Sequence, residues 1–225
     1  MAVPFTPAEF LDGFGRFNTA VWPLHVAALG VAAAVVVLAF RGGRRASRII
    51  AFGLASMWLA SAALQAVAFH DVMPTTAIPF AAAFLLQAAL LALAGTRDRL
   101  AFAVRRGPGT VLGLALVAYA AFAYPAIGAL SGHSFPRMPV FGMAPCPNAI
   151  FTFGLLLLTE RPVPRWILPI PALWSLVGIS AAAALGIVED WGLPVAGAST
   201  LALLAVRDRW FGPRRSYTEP GHSWR

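Results

Sequence analysis

The sequence contains no lysine, a single cysteine and few charged residues of either sign. Without a lysine the chain cannot hold retinal as a Schiff base, so a rhodopsin is excluded. One cysteine excludes an internal disulfide and any metal site built from several thiolates. Charged residues make up 12% of the 225 residues and hydrophobic residues 59%, with a mean hydropathy of +0.74. This composition excludes a soluble domain folded around one core.

Catalytic motifs are also missing. No His-Glu-x-x-His pattern of a zinc protease is present. The stretch Ala129-Leu130-Ser131-Gly132 only faintly resembles a rhomboid serine motif, because the leading glycine is absent. We therefore expect no catalytic residue, no enzyme activity and no cofactor. A haem held between His25 and His70 remains an open alternative that their spacing does not select.

Seven apolar runs predict membrane-spanning helices. A helix needs roughly 20 apolar residues to cross about 30 Å of hydrocarbon, and continuous apolarity favours helices over alternating barrel strands. The predicted fold class is therefore all-α, a polytopic membrane bundle of seven transmembrane helices. The runs cover roughly residues 20–40, 49–69, 78–96, 110–130, 146–159, 167–188 and 193–206.

The arginines are distributed unevenly between the two sides of such a chain. All 17 basic residues are arginine, and only Arg16 and Arg137 fall outside the segments that one side of a seven-pass chain would share. The positive-inside rule then places the N-terminus outside and the C-terminus in the cytoplasm, in a bacterial cytoplasmic membrane. The net charge of +8 is accordingly a topology signal, and we expect no nucleic-acid partner.

The chain ahead of the first run has its own helix signal. Thr6-Pro7-Ala8-Glu9 has the form of a capping box with proline in the first turn. Phe10, Phe14 and Phe17 follow on one face, which predicts a short amphipathic helix on the outer surface. The predicted organisation is an outer lead-in at 1–19, a seven-helix domain at 20–211 and a cytoplasmic tail at 212–225.

The cysteine lies between two prolines in the stretch FGMAPCPNAIFTFGLLLLTE, residues 141–160. Only 12 residues separate Pro147 from Glu160, against 17 between Pro23 and Arg41. Twelve helical residues rise about 18 Å, which is less than the hydrocarbon thickness. We therefore expect residues 140–146 to enter the membrane as irregular chain that is covered by protein or lines a cavity. Such interrupted segments are a pointer to transporter sites.

Polar side chains within the runs are concentrated in the predicted outer half. Buried polar groups are costly in lipid and usually face the interior of a bundle, so we expect one outward-facing polar cavity. Structural alternatives are hydrogen bonds between helices for the glutamines and apolar packing for the cysteine. The expected cavity residues are His25, Gln65, Gln87, Tyr124, Cys146 and Asn148, with His70, Asp71, Glu189 and Asp190 at the same level.

No residue spacing matches a known metal motif, and we predict no metal. Soft ions such as copper(I) and zinc prefer thiolate and imidazole ligands. The weak candidates for a soft-ion site are His25, His70, Met143 and Cys146.

Three stretches resemble an uncharacterised family of bacterial multi-pass membrane proteins, and the resemblance covers most of the chain. They are FTPAEFLDGFGRFNTAVWP, FGMAPCPNAIFTFGLLLL and PALWSLVGISAAAALGIVEDWGLPVAG. The family has no established activity. The resemblance therefore implies a topology and a compartment but no mechanism.

The expected function is the binding or transport of a small solute or soft ion through the outward-facing cavity. The alternative is a non-catalytic accessory or assembly subunit. Its small-residue face at Gly178, Ala182 and Gly186 would pack on a membrane partner or a second copy. The expected partners are thus the lipid bilayer, a small solute or ion, and in the alternative another membrane protein.

The predicted topology can be tested with reporter fusions. Fusions after Arg48 and after Arg215 are expected to report a cytoplasmic location, and a fusion after Met73 an external one, because of the arginine distribution. A periplasmic signal from the loop at Arg44 would contradict the whole arrangement.

Overall fold

The structure is a computed structural model that describes residues 5–208. Within this range the chain forms eight helices and no strand, apart from an isolated bridge between Phe102 and Thr159. The prediction of an all-α fold is confirmed, while the predicted tail at 212–225 lies outside the described residues. The helices are α1 Pro7–Ala20, α2 Trp22–Arg41, α3 Arg44–Ala68, α4 Ala77–Thr96, α5 Pro108–Leu130, α6 Pro145–Leu157, α7 Pro169–Leu185 and α8 Gly192–Arg207.

Each of the seven apolar runs contains one helix, but the helices are not equivalent. Five of those in the described residues, α2 to α5 and α7, are long and apolar enough to cross a membrane. The other two are shorter, with 13 residues in α6 and 16 in α8.

One end of the bundle, which we call the arginine end, is formed by residues 41–48, 97–106, 159–165 and 207–208. Asp98 accepts hydrogen bonds from Arg44 and Arg48, both at 2.7 Å. These bonds lower the pKa of the Asp98 carboxyl well below its usual range. The backbone of Ala103 donates to Leu158 at 2.9 Å, and Arg207 donates to the carbonyl of Thr159 at 3.0 Å. These contacts join the ends of four helices.

The opposite end, which we call the α1 end, is formed by α1 and by residues 69–76, 131–144 and 186–191. The predicted capping box of α1 is confirmed, because Thr6 and Glu9 exchange both of its hydrogen bonds, at 2.8 and 3.2 Å. The rings of Phe10 and Phe14 pack on Phe69, at 5.1 and 4.9 Å between centroids. The aromatic face of α1 therefore packs on the bundle, where the sequence suggested a surface helix, because Phe69 ends α3 beneath it.

Helix α6 is enclosed along its whole length. All 13 of its residues, from Pro145 to Leu157, are buried. Gly113 of α5 and Gly154 of α6 allow close approach, since a Cβ on either would lie 2.7 Å from the carbonyl oxygen of the other. Because other elements cover α6, its length does not have to match the hydrocarbon thickness. This explains why the fifth apolar run is short.

The chain leading into α6 is irregular and largely buried over residues 140–144, as expected. The same expectation is wrong for Pro145 and Cys146, which lie in the first turn of α6. Proline is tolerated there because the N–H groups of the first turn have no carbonyl partner within the helix. Gly142 has a φ of +86° and lies so close to α2 that a side chain would collide with Ala28.

Asn148 connects this irregular segment to α3. Its Oδ1 accepts a hydrogen bond from the backbone of Gly142 at 2.8 Å. Its Nδ2 donates to the carbonyl of Met57 at 3.1 Å and to Ser61 Oγ at 2.9 Å. Ser61 in turn donates to the carbonyl of Met143 at 3.0 Å. One side chain of α6 thus satisfies backbone groups on two neighbouring segments.

Replacing Asn148 with alanine is expected to destabilise the protein, because the buried Gly142 N–H would lose its partner, whereas the Met57 carbonyl would keep the hydroxyl of Ser61. Each unpaired group costs about 1–3 kcal/mol, which thermal unfolding in detergent would detect. Ser56→Ala is the matched control, since Ser56 lies on α3 and its hydroxyl bonds only Gly53 of its own helix. Equal melting temperatures for the two variants would contradict this role of Asn148.

Candidate functional site

A cavity of about 290 Å³ lies at the α1 end, among residues of α1, α3, α4, α6 and α7. Its rim includes the exposed residues Thr75, Thr76 and Ser180. Four buried residues of the lining have a side chain with an N–H, S–H, amide or carboxyl group, and we call them the floor. They are Gln65, Cys146, Trp174 and Asp190.

Aromatic rings line the walls of this cavity. Phe80 and Trp174 meet edge to face with 5.1 Å between their centroids, and Phe10 and Phe14 do so at 5.3 Å. All four side chains belong to the lining. Such walls favour a molecule with an apolar body, which would be fixed by the few polar groups of the floor.

Asp190 is the acidic group of the floor. It lies in the short turn between α7 and α8 and is only 2% exposed. Tyr124 donates its hydroxyl to Oδ1 at 2.5 Å, and Cys146 donates its thiol to Oδ2 at 3.5 Å. Burial raises the pKa of Asp190 to about 7, although these two hydrogen bonds oppose the shift. Its charge therefore changes near neutral pH.

A π-helical turn in α5 brings two tyrosines to this acidic turn. Five residues of a regular α-helix separate side chains by about 140° around the axis, which would point Tyr119 and Tyr124 apart. Over Tyr119–Ala123 the helix widens, and the backbone N–H of Tyr124 donates to the carbonyl of Tyr119. Pro125, which has no N–H to donate to an α-helical partner, follows directly. Both hydroxyls then reach the turn, Tyr119 donating to the Glu189 carbonyl at 2.9 Å.

His133 was not singled out by the sequence analysis. Its Nδ1 lies 3.1 Å from Oε1 of Glu189, whose side chain is only 1% exposed. The sequence contains only an indirect indication of this contact, because the histidine lies in one predicted outer loop and the acidic pair in another. The pairing fixes the loop that follows α5 to the turn that carries Asp190.

Two buried polar atoms of the cavity residues have no hydrogen-bond partner among the described residues. They are the acceptor Oε1 of Gln65 and the donor Nε1 of Trp174. Buried polar atoms in folded proteins are nearly always hydrogen-bonded to protein, water or a ligand. The pair therefore provides one free acceptor and one free donor in residues that line the cavity.

Three of the six expected cavity residues meet at this site. Gln65 and Cys146 line the cavity, and Tyr124 bonds the cavity residue Asp190. Gln65 approaches from α3, Cys146 from the first turn of α6 and Tyr124 from α5. The site thus combines residues of α3, α5, α6 and the acidic turn, and α7 adds Trp174 of the floor.

The other three expected residues lie outside the lining and hold backbone in place. His25 Nε2 lies 3.1 Å from Asn18 Oδ1, and Asn18 itself donates to the carbonyl of Met138 at 2.9 Å. Gln87 donates to the carbonyl of Ile167 at 3.1 Å, next to the start of α7. Asn148 holds the segment before α6, as described above. The chain itself therefore pairs the polar groups of these residues, except Oε1 of Gln87, which has no partner among the described residues.

The four soft-ion candidates have different surroundings. His70 is exposed and lies 3.3 Å from Asp71, while Met143 packs in an apolar cluster that includes Phe14. Among residues 5–208, no group of three or more His, Cys, Asp and Glu side chains is placed to hold a metal ion.

Five long apolar helices and a buried helix α6, on which α3, α5, α7 and α8 pack, define a membrane-embedded helical bundle with a cavity at one end. The model of DUF6064, a family of unknown function, matches residues 8–215, and the chain belongs to that family. The resemblance to an uncharacterised family is thereby confirmed. No curated protein and no solved structure was found to match the chain.

Because a small reagent can reach Cys146 through the cavity, we expect this thiol to react with a water-soluble thiol reagent in the folded protein. A thiol needs water to form the reactive thiolate, and Cys146 lines the cavity although its side chain is buried. The measurement is the labelling rate in intact membranes, with Cys146→Ser as the control for specificity. Labelling that occurs only after denaturation in detergent would mean that the thiol is sealed in the core.

Proposed function

We propose that this protein binds a small solute at the outer face of the bacterial cytoplasmic membrane, as the binding step of transport. The observation that carries the proposal is the cavity at the α1 end. It combines apolar walls with buried floor residues, two of which have unpartnered polar atoms. That combination suits a small molecule with an apolar body and a few polar groups.

The proposed topology has seven membrane passes, an outer N-terminus and a cytoplasmic C-terminus. Both short helices run between the two ends of the bundle, which supports counting them as passes. The first turn of α6 contacts Asp190 at the α1 end, and Leu158, just after α6, accepts from Ala103 at the arginine end. Helix α8 begins two residues after Asp190 and ends at Arg207. With the arginine end in the cytoplasm, the cavity faces outward.

A small organic solute is favoured over a soft ion. Cys146 is the single soft-ion candidate that lines the cavity, since His25, His70 and Met143 lie outside its lining. One thiol beside a carboxyl group is a poor ligand set for copper(I), which prefers several soft ligands.

The small-residue face of α7 gives little support to the accessory-subunit alternative. A Cβ on Gly178 would lie 2.7 Å from the side chain of Leu193, so α8 of the same chain already occupies this face. Gly186 has a φ of +71° and forms the left-handed cap of α7, outside the helical face. The face that the alternative needs for a partner is therefore largely used within the protein.

Ligand binding to the purified full-length protein in lipid nanodiscs tests the proposal. A panel of small one-ring amphipathic compounds is screened for thermal stabilisation, because a ligand that binds only the folded state raises the melting temperature. Ala181→Phe fills the cavity and is expected to abolish the shift. Ala183→Phe is the matched control, because Ala183 lies on the same helix but is exposed and outside the lining.

Compounds that stabilise the wild type and Ala183→Phe, but not Ala181→Phe, would support a binding site in the cavity. Equal shifts for all three proteins would contradict it. Uptake of the same compounds into proteoliposomes then tests the transport step, and binding without uptake would remove that part of the proposal.

A further inference from the structure

The charge of the cavity differs from that of the whole chain. The protein has a formal net charge of +8, yet no arginine and no histidine is among the cavity-lining residues. Asp190 is the one ionisable carboxyl group in that lining. Anionic solutes would therefore meet a carboxyl group and no counter-charge, which disfavours them.

The Asp190 carboxylate has no cationic partner in the described part of the chain. Its two oxygens accept from the neutral donors Tyr124 and Cys146. His133 is placed against the neighbouring Glu189 instead. A buried carboxylate is costly unless a positive charge or protonation compensates it. When Asp190 is ionised, the site thus lacks one positive charge.

The remaining groups of the cavity also suit a cation. Aromatic faces such as those of Phe80 and Trp174 attract ammonium groups and pack on apolar bodies. The free Oε1 of Gln65 is an acceptor for an ammonium N–H group. The volume of about 290 Å³ lies at the lower end of the range for small-molecule pockets. It favours a molecule with a single ring.

We propose that the solute is a small aromatic or aliphatic organic cation, an amine or quaternary ammonium compound, whose charge is neutralised by Asp190. This inference rests on the proposed binding function and specifies its substrate class. In this arrangement Gln65 accepts from the ammonium group of an amine, and the aromatic walls hold the apolar body.

The first test compares three probes of similar shape on the full-length protein in nanodiscs, with empty nanodiscs as the blank. Benzyltrimethylammonium is the cation, neopentylbenzene its neutral isostere, and phenylacetate the anion. The cation is expected to bind at least about tenfold more tightly than the isostere, because it gains both the carboxylate and the aromatic faces. Phenylacetate is expected to bind least.

The second test removes the charge of Asp190 without changing its shape. Asp190→Asn is expected to reduce the preference for the cation to the part that the aromatic faces supply, and to retain binding of neopentylbenzene, which also shows that the variant is folded. Asp71→Asn is the matched control, because Asp71 is a 92% exposed carboxylate at the same end of the bundle and outside the lining. It is expected to keep the wild-type preference.

A third test uses the hydrogen bond assigned to Gln65. Gln65→Leu is expected to weaken the binding of benzylamine by about tenfold, because its N–H groups lose an acceptor. The same change is expected to leave benzyltrimethylammonium unaffected, since a quaternary ammonium has no N–H. Equal losses for both probes would contradict the role given to Gln65.

The pH dependence tests the same carboxyl group independently. Tyr124 from α5, Cys146 from α6 and Glu189 from its own turn face Asp190, and His133 acts through Glu189. Because the pKa of Asp190 is about 7, lowering the pH through neutrality protonates the group that the cation needs. The dissociation constant of benzyltrimethylammonium, which does not titrate, is then expected to rise as the pH falls through 7 and to level off near the value measured for Asp190→Asn.

Asp190→Asn is expected to remove this pH dependence, whereas His133→Gln is expected to retain it. A pH dependence that disappears with His133→Gln and persists in Asp190→Asn would overturn the assignment. Cation and isostere binding with equal affinity would overturn the substrate class while leaving the proposed binding function intact. Failure of all three probes to bind would overturn both.

Discussion

The three hydrogen bonds of Asn148 lie where irregular chain turns into a helix that is completely enclosed. In the interior of a membrane protein, backbone that is not helical has to find partners within the protein. Asn148 accepts a hydrogen bond from the N–H of Gly142 and donates one to the carbonyl of Met57 in α3, and Ser61 donates to the carbonyl of Met143. These bonds satisfy non-helical backbone next to α6 and hold the start of that helix against α3. The position of α6, on which α3, α5, α7 and α8 pack, depends on them.

The position of the cavity follows from this arrangement. The first turn of α6 carries Cys146 to Asp190, and the body of α6 packs against large apolar side chains. Trp58, for example, donates to Thr152 at 3.0 Å and is completely buried. At the arginine end, Phe102 is buried and its N–H donates to Ser47 at 2.9 Å, which helps to close that side. The open volume is left at the α1 end, where α6 has only just begun.

The two ends of the bundle also differ in the partners of their acidic side chains. At the arginine end the acids are paired with arginines, as Asp98 is with Arg44 and Arg48. At the α1 end, two buried acids follow one another in the chain. Glu189 contacts a histidine, whereas Asp190 has only neutral donors. Ion pairs at an exposed surface contribute little to stability, but a buried acid without a counter-charge has a strong effect on what can occupy the space beside it.

The sequence by itself determined the helices, their order and the separation of the arginines, because hydropathy and charge are properties of consecutive residues. It also singled out Gln65, Cys146 and Tyr124 as candidates, since polar side chains within apolar runs need partners wherever they lie. It could not distinguish these from His25, Gln87 and Asn148, which have the same chemistry but lie outside the cavity lining and bond backbone or side chains there.

That distinction depends on how each helix is rotated and on which segments meet, and contacts across many residues decide both. Only the tertiary structure placed His133 against Glu189, because 56 residues separate them. The π-helical turn that directs Tyr119 and Tyr124 to the acidic turn could not be predicted either, because it changes the rotation of a helix without changing its hydropathy. Enclosure of α6 has the same origin: its apolar residues fit lipid as well as protein, and only packing decided between them.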